Sequence, residues 1–267
     1  MSRALHVERW GDPANPRVVC LHGITGHGAG VRRLAEGWLP DRYVLAPDLL
    51  GHGSSPYEPP WSIDEHVRLL LEAVGDEPAA WIGHSFGARL AFEVAGRRPD
   101  LVERLVLLDP AILVDPEIAL IVAEKDRRDR SYDSFEEGVE RRFTESLLSR
   151  TSRDHVVEDL QGFLVENEDG RWRYRYSQAS VIAAYGEMAS PPPPFEDVSI
   201  PTLLVRGEDS YVTYDHLIDA HRAALGDLLH EATVPGGHTV LWDALDETAA
   251  AISAFLRQEL RSRPLEV

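Results

Sequence analysis

A chain of 267 residues that is 43% apolar has material for one sizeable core, and its formal net charge of −18 gives it a strongly acidic surface. A sequence pI near 5.0 repels phosphate backbones and anionic lipid, so nucleic-acid and membrane-surface binding are not expected. The single cysteine, Cys20, allows no internal disulfide. No apolar run suits a secretory signal or the ~20 residues of a membrane helix, so the expected compartment is the cytoplasm.

Taken in chain order, short apolar runs alternate with longer amphipathic stretches, which predicts a mainly parallel sheet flanked by helices. Strands are predicted at Arg17–Leu21, Tyr43–Ala46, Ala79–Ile82, Arg104–Leu108, Thr202–Val205 and Leu229–Val234. Cys20 falls inside the first of these and reads as a core thiol. Helices are predicted at Ile63–Val74, Ser85–Gly96, Tyr214–Leu225 and Glu247–Arg261. In the first, Ile63, Val67, Leu70, Leu71 and Val74 recur near every 3.6 residues, so that stripe faces the core. From Ile112 to Val198 the alternation breaks. This interval is charged, reads as helical without a clear buried strand, and ends at Pro191–Pro194, which is stiff and cannot continue a helix. It is expected to be an inserted helical lid over 112–198, on a core of 1–111 and 199–267.

Gly83-His84-Ser85-Phe86-Gly87 lies between a predicted strand and a predicted helix. A sharp turn there lifts a serine hydroxyl above the sheet, and the helix N-terminus points N–H groups at negative charge forming beside it. Ser85 is therefore the candidate nucleophile, the alternative being a helix cap. Acyl transfer needs two N–H donors for an oxyanion. Phe86 supplies one, and Ile24, in Leu21-His22-Gly23-Ile24-Thr25-Gly26, the other. His22 is expected to brace that loop. Val234-Pro235-Gly236-Gly237-His238 follows the last predicted strand, and its glycines let His238 reach the nucleophile as general base. The histidines show no metal-ligand spacing, and neither a metal nor a cofactor is expected.

These landmarks, in the order His22-Gly23, Asp48 to Ser54, the serine turn, an acid and His238, resemble the α/β-hydrolase superfamily across nearly the whole chain. The resemblance implies an eight-stranded, mostly parallel sheet with a helical cap, and structural roles for Asp48 and His52. It also implies an acid at one of two places. Many members carry it three residues after the glycine closing the sixth core strand, but here Gly207 is followed at that distance by Ser210, with Asp209 one place early. Others carry it after the strand that follows the serine helix, where Asp109 stands. Asp109 is preferred, with Asp209 as the alternative. The expected activity is a serine hydrolase cleaving carboxylic esters of small to medium molecules through an acyl-enzyme on Ser85. Lactonase, thioesterase or carbon–carbon bond hydrolase activity on the same residues is the alternative, and a catalytically silent binding module a remote one. The expected partner is a small acyl substrate, with the protein a monomer or small homo-oligomer. In the lid, Phe163, Trp172, Tyr174, Tyr176 and Tyr185 are read as lid core, with pocket lining as the alternative. Arg171, Arg173 and Arg175 are read as a solvated face, with an anion contact as the alternative.

Overall fold

The computed structural model describes residues 3–258. The chain opens on β1 (Val7–Trp10), β2 (Arg17–Leu21), α1 (Arg32–Trp38), β3 (Tyr43–Pro47), α2 (Ile63–Val74), β4 (Ala79–His84), α3 (Phe86–Arg97) and β5 (Val102–Leu108). An intervening segment carries α4 (Pro116–Asp126), β6 (Ser131–Tyr132), α5 (Phe135–Glu145), α6 (Arg153–Leu160), β7 (Leu164–Glu166), β8 (Trp172–Tyr174) and α7 (Gln178–Met188). The chain then returns with β9 (Thr202–Gly207), α8 (Asp215–Leu225), β10 (Leu229–Val234), α9 (Val240–Asp243) and α10 (Leu245–Arg257).

Seven strands form the main sheet among the described residues, in the order β1-β3-β2-β4-β5-β9-β10, where the resemblance implies eight. Only β1 runs antiparallel. Parallel strands with both faces covered read as continuous apolar runs, and β2, β4 and β5 do so. Side chains alternate between two cores. Val19, Leu21, Trp81, Leu105 and Leu107 face α2 and α3, whereas Val18, Cys20, Ile82, Val106 and Leu108 face α1 and α10. Burial pushes the Cys20 thiol up to about 12, which makes it an inert core residue. Helix α2 starts where Ser62 accepts from the Glu65 amide, the Ser-x-x-Glu pattern of a helix N-terminus.

The interval 112–198 is not all helical. Strands β6, β8 and β7 form a three-stranded antiparallel sheet there. Each strand is only two or three residues long, too short to leave a period-two signal in the sequence. Tyr132, Val139, Val156, Leu160, Phe163, Leu164 and Tyr174 give it a core of its own. Both stems of the interval are fastened to α3. The buried Arg89 guanidinium donates to the carbonyls of Ile112 (2.5 Å), Ser190 (3.0 Å) and Pro191 (3.0 Å). Glu93, buried beside it, balances the charge.

Candidate active site

Parallel order places the ends of β2, β4, β5, β9 and β10 along one edge of the sheet. The chain leaves β2 toward β3 on one side, and β4 then continues on the other, so the loops after β2 and β4 diverge and open a crevice. Ser85 occupies the turn out of β4 with φ 54° and ψ −115°, at the N-cap position of α3 but with no side-chain cap hydrogen bond, so its hydroxyl is not used to cap the helix. The turn is held from several sides. The Ser85 amide donates to Leu108 O (3.1 Å), and Ser85 O accepts from Ala88, Arg89 and Ala111. The loop after β2 presses against this turn: a Cβ on Gly87 would lie 2.4 Å from Leu21 O, and one on Gly23 would lie 3.0 Å from Ser85 Cβ. Close approach requires glycine at both places.

That loop carries Ile24, whose amide donates to no protein group among the described residues. Phe86 opens α3, where an amide has no intrahelical acceptor, and its ring is buried against His66. His22 braces the loop as expected. Its Nε2 accepts from the Leu49 amide (2.9 Å) and its Nδ1 donates to Gly23 O (2.8 Å). Burial drives its pKa down to about 3, so the ring is neutral at working pH. Asp48 ties the next loop by accepting from the amides of Gly28 (2.7 Å) and Ser54 (2.8 Å).

His238 stands at the end of the loop after β10, and its Nδ1 donates to Asp109 Oδ2 at 2.5 Å. Its Nε2 hydrogen-bonds to no protein group among the described residues. Asp109 is fully buried at the end of β5 with φ 39°. The structure thus brings Asp109, not Asp209, to the histidine. Asp209 is exposed, and its amide donates to Gly236 O. Ser210 stands where the resemblance offers an acid, and its hydroxyl donates to Asp109 Oδ2 at 2.6 Å. Thr213 Oγ1 adds a donor to Oδ1 (3.2 Å). The stretch after β9 thus gives hydroxyl donors to Asp109 rather than a carboxylate to His238.

Two further residues were not singled out from the sequence. His84 Nε2 donates to the backbone carbonyl of His238 (2.8 Å), and burial beside that second imidazole lowers its pKa to about 4. Asp243 accepts from the amides of Ser149, Arg150, Thr151 and Gly237 and from the hydroxyls of Ser149 and Thr151. It fastens the loop between α5 and α6 to the residue preceding His238. An Asp five residues after a histidine carries no sequence signal of its own, since its partners lie about ninety residues away.

Ser85, His238 and Ile24 line one cavity of about 270 Å³. Tyr185 lines it too, but Phe163 and Tyr174 form the small core of the intervening segment, with Trp172 and Tyr176 packed on it. Arg173 pairs with Asp169, Arg171 donates to Ser131, and Arg175 donates to Ser54. None of the three lines the cavity.

Residues 16–245 match the alpha/beta hydrolase fold family. The chain is an α/β hydrolase. It is 35% identical over 259 residues to the lipase LipV of Mycobacterium tuberculosis, covering 94% of this chain and 97% of that one. It is 28% identical to the mouse sn-1-specific diacylglycerol lipase ABHD11, over 92% of this chain and 82% of the other. Among solved structures, E-2-(acetamidomethylene)succinate hydrolase superposes with a TM-score of 0.83 at 23% identity, covering 95% of both chains, which establishes the shared fold. The relatives it resembles are named as lipases and esterases, among them the esterase Rv0045c of Mycobacterium tuberculosis at 30% identity over 90% of this chain and 82% of that one. Among its described residues no helix is long and apolar enough to cross a membrane.

Proposed function

We propose that the protein is a carboxylesterase that cleaves esters of small to medium molecules through an acyl-enzyme on Ser85. The observation that carries this reading is the 2.5 Å pairing of buried Asp109 with His238, which lines the same cavity as the strained Ser85. With Nδ1 donating to Asp109, His238 Nε2 takes the Ser85 proton while Oγ attacks the acyl carbon. The Ile24 and Phe86 amides receive the charge on the carbonyl oxygen. His238 then gives its proton to the alkoxide leaving group. A water, deprotonated by the same nitrogen, attacks the acyl-enzyme and releases the acid and Ser85. Asp109 holds the imidazole tautomer and balances its cation.

Relatives named as lipases and esterases support an oxygen ester as substrate. In this reading the segment 112–198 is the cap that encloses the acyl group, because Ile118, Val122, Tyr185 and Met188 supply apolar wall opposite the sheet. The test is hydrolysis of p-nitrophenyl esters of graded acyl length, beside labelling by a fluorophosphonate probe. Wild-type protein is expected to turn over esters and take the label, and Ser85→Ala to do neither. Labelling without turnover of any ester would move the reading to another acyl substrate, and no labelling would remove the nucleophile.

A further inference from the structure

One wall of the cavity carries a cation that forms no ion pair with an acid among the described residues. Arg142, in the last turn of α5, is only 5% exposed and lines the cavity with Ser85 and His238. Its two Nη atoms donate to neutral oxygens, the hydroxyl and the carbonyl of Thr25, each at a long 3.4 Å. Its Nε is buried with no hydrogen-bond partner. The faces of Tyr174 (5.4 Å) and Trp242 (4.9 Å) flank the guanidinium and attract it, but accept no charge-assisted hydrogen bond.

Two acids on the same wall are engaged elsewhere: Glu145 accepts from Tyr132 and Arg141, and Asp126 accepts from Arg130 and Tyr185. Asp159 lies 3.3 Å from His27 Nε2 with one buried oxygen left without a hydrogen bond; it attracts Arg142 across the wall but forms no ion pair with it among the described residues. At the exposed rim, Lys125 also lines the cavity, and it too has no ion pair among the described residues. A fully buried arginine is nearly always paired, because a desolvated charge without a counter-ion is strongly disfavoured. A chain with net charge −18 has acids to spare, yet its reactive cavity presents two unpaired cations.

We propose that the cavity takes esters that also bear a carboxylate, and that Arg142 is the seat of that carboxylate. This rests on the ester reading at Ser85. The guanidinium edge that now meets Thr25 matches a carboxylate in geometry and charge. Thr25 follows Ile24, so an anion held there lies on the oxyanion-loop side of the reacting carbonyl and fixes the ester against it. Lys125 at the rim draws the anion inward.

The experiment compares three substrates of similar length: monomethyl glutarate, with the carboxylate on the acyl side; 4-acetoxybutyrate, with it on the leaving group; and neutral methyl hexanoate. Wild type is expected to show a kcat/KM about tenfold or more higher for one carboxylate-bearing ester than for the neutral one, the size of a charge-assisted hydrogen bond. The preferred arm tells which end of the substrate Arg142 holds. Arg142→Gln is expected to bring that ratio to about one, with Arg142→Lys between, since lysine keeps the charge without the fork. Calorimetric binding of glutarate, present in wild type and lost in Arg142→Gln, reads the anion seat without any turnover. A wild type that prefers methyl hexanoate, or an Arg142→Gln that slows all three substrates equally, overturns the proposal and leaves Arg142 as a brace for Thr25. Absence of turnover in every arm, with glutarate still bound, counts against the ester reading and not against the anion seat.

Discussion

Three of the four non-glycine residues with positive φ among the described residues, Thr25, Ser85 and Asp109, are at the site, and each such backbone costs on the order of 1–3 kcal/mol. Strain of that kind persists only where its surroundings hold it. Here the β2 loop, the elbow helix and the Ser210 and Thr213 hydroxyls do so. Asp109→Asn removes the charge that orients His238 while keeping the shape. We expect it to lower kcat by on the order of 10³–10⁴-fold, as loss of a triad carboxylate does, with Asp209→Asn within about twofold of wild type. A collapse in Asp209→Asn instead, measured in the same ester assay, would discard the assignment drawn from geometry. Ser210→Ala removes one donor from the carboxylate and is expected to reduce kcat by about tenfold, with KM little changed. Ser210 was visible in the sequence only as a missing acid. Its role depends on which residue from another strand lies beside it, and no local pattern carries that.

At the scale of elements, the segment between β5 and β9 is bolted to the rest of the chain at two places. Arg89 grips the carbonyls of both stems, and Asp243 grips the α5–α6 loop together with the loop that carries His238. Removing one member of a buried ion pair leaves the other uncompensated, so Arg89→Ala is expected to lose about 3–5 kcal/mol in urea unfolding. Asp243→Ala should act locally. It frees the Ser149–Thr151 loop and the Gly237 amide, and faster cleavage near Ser149 in limited proteolysis should accompany a lower kcat on small esters. Unchanged proteolysis would mean that the loop is held by something else. Most of these bonds join residues roughly ninety to a hundred positions apart, which is why the charged, strandless look of 112–198 did not reveal how it is anchored.

For the molecule as a whole, acid is the weak direction. Burial lowers the pKa of His22, His52, His66, His84, His155 and His221, so the folded state holds these rings neutral. An unfolded chain protonates them near pH 6.5 and so binds more protons than the folded one. Stability contributed by neutral His22 is therefore complete above pH 6.5 and declines as pH falls toward its folded value of about 3. Each such ring adds about 1.4 kcal/mol per pH unit to the slope across its window. Urea midpoints should fall steeply from pH 7 to pH 5, and His22→Gln should show a shallower slope by about one proton. A flat profile would show that the rings titrate freely in the folded protein.

The sequence by itself determined the alternation of strands and helices, the serine turn, the glycine-bordered histidine loop and the structural use of His22. Each is written locally, in a periodicity or a short motif whose partners are close along the chain or imposed by parallel strand order. Tertiary structure alone decided the rest. It put Asp109, not Asp209, against His238, because a carboxylate's reach depends on which strand lies beside the histidine loop. It turned a region read as helical into a small mixed body, because strands of two or three residues leave no period. It set four aromatics of that region into a core of their own, and left Arg142 as the cavity's buried cation. Burial and pairing are properties of neighbours in space, and a linear pattern does not contain them.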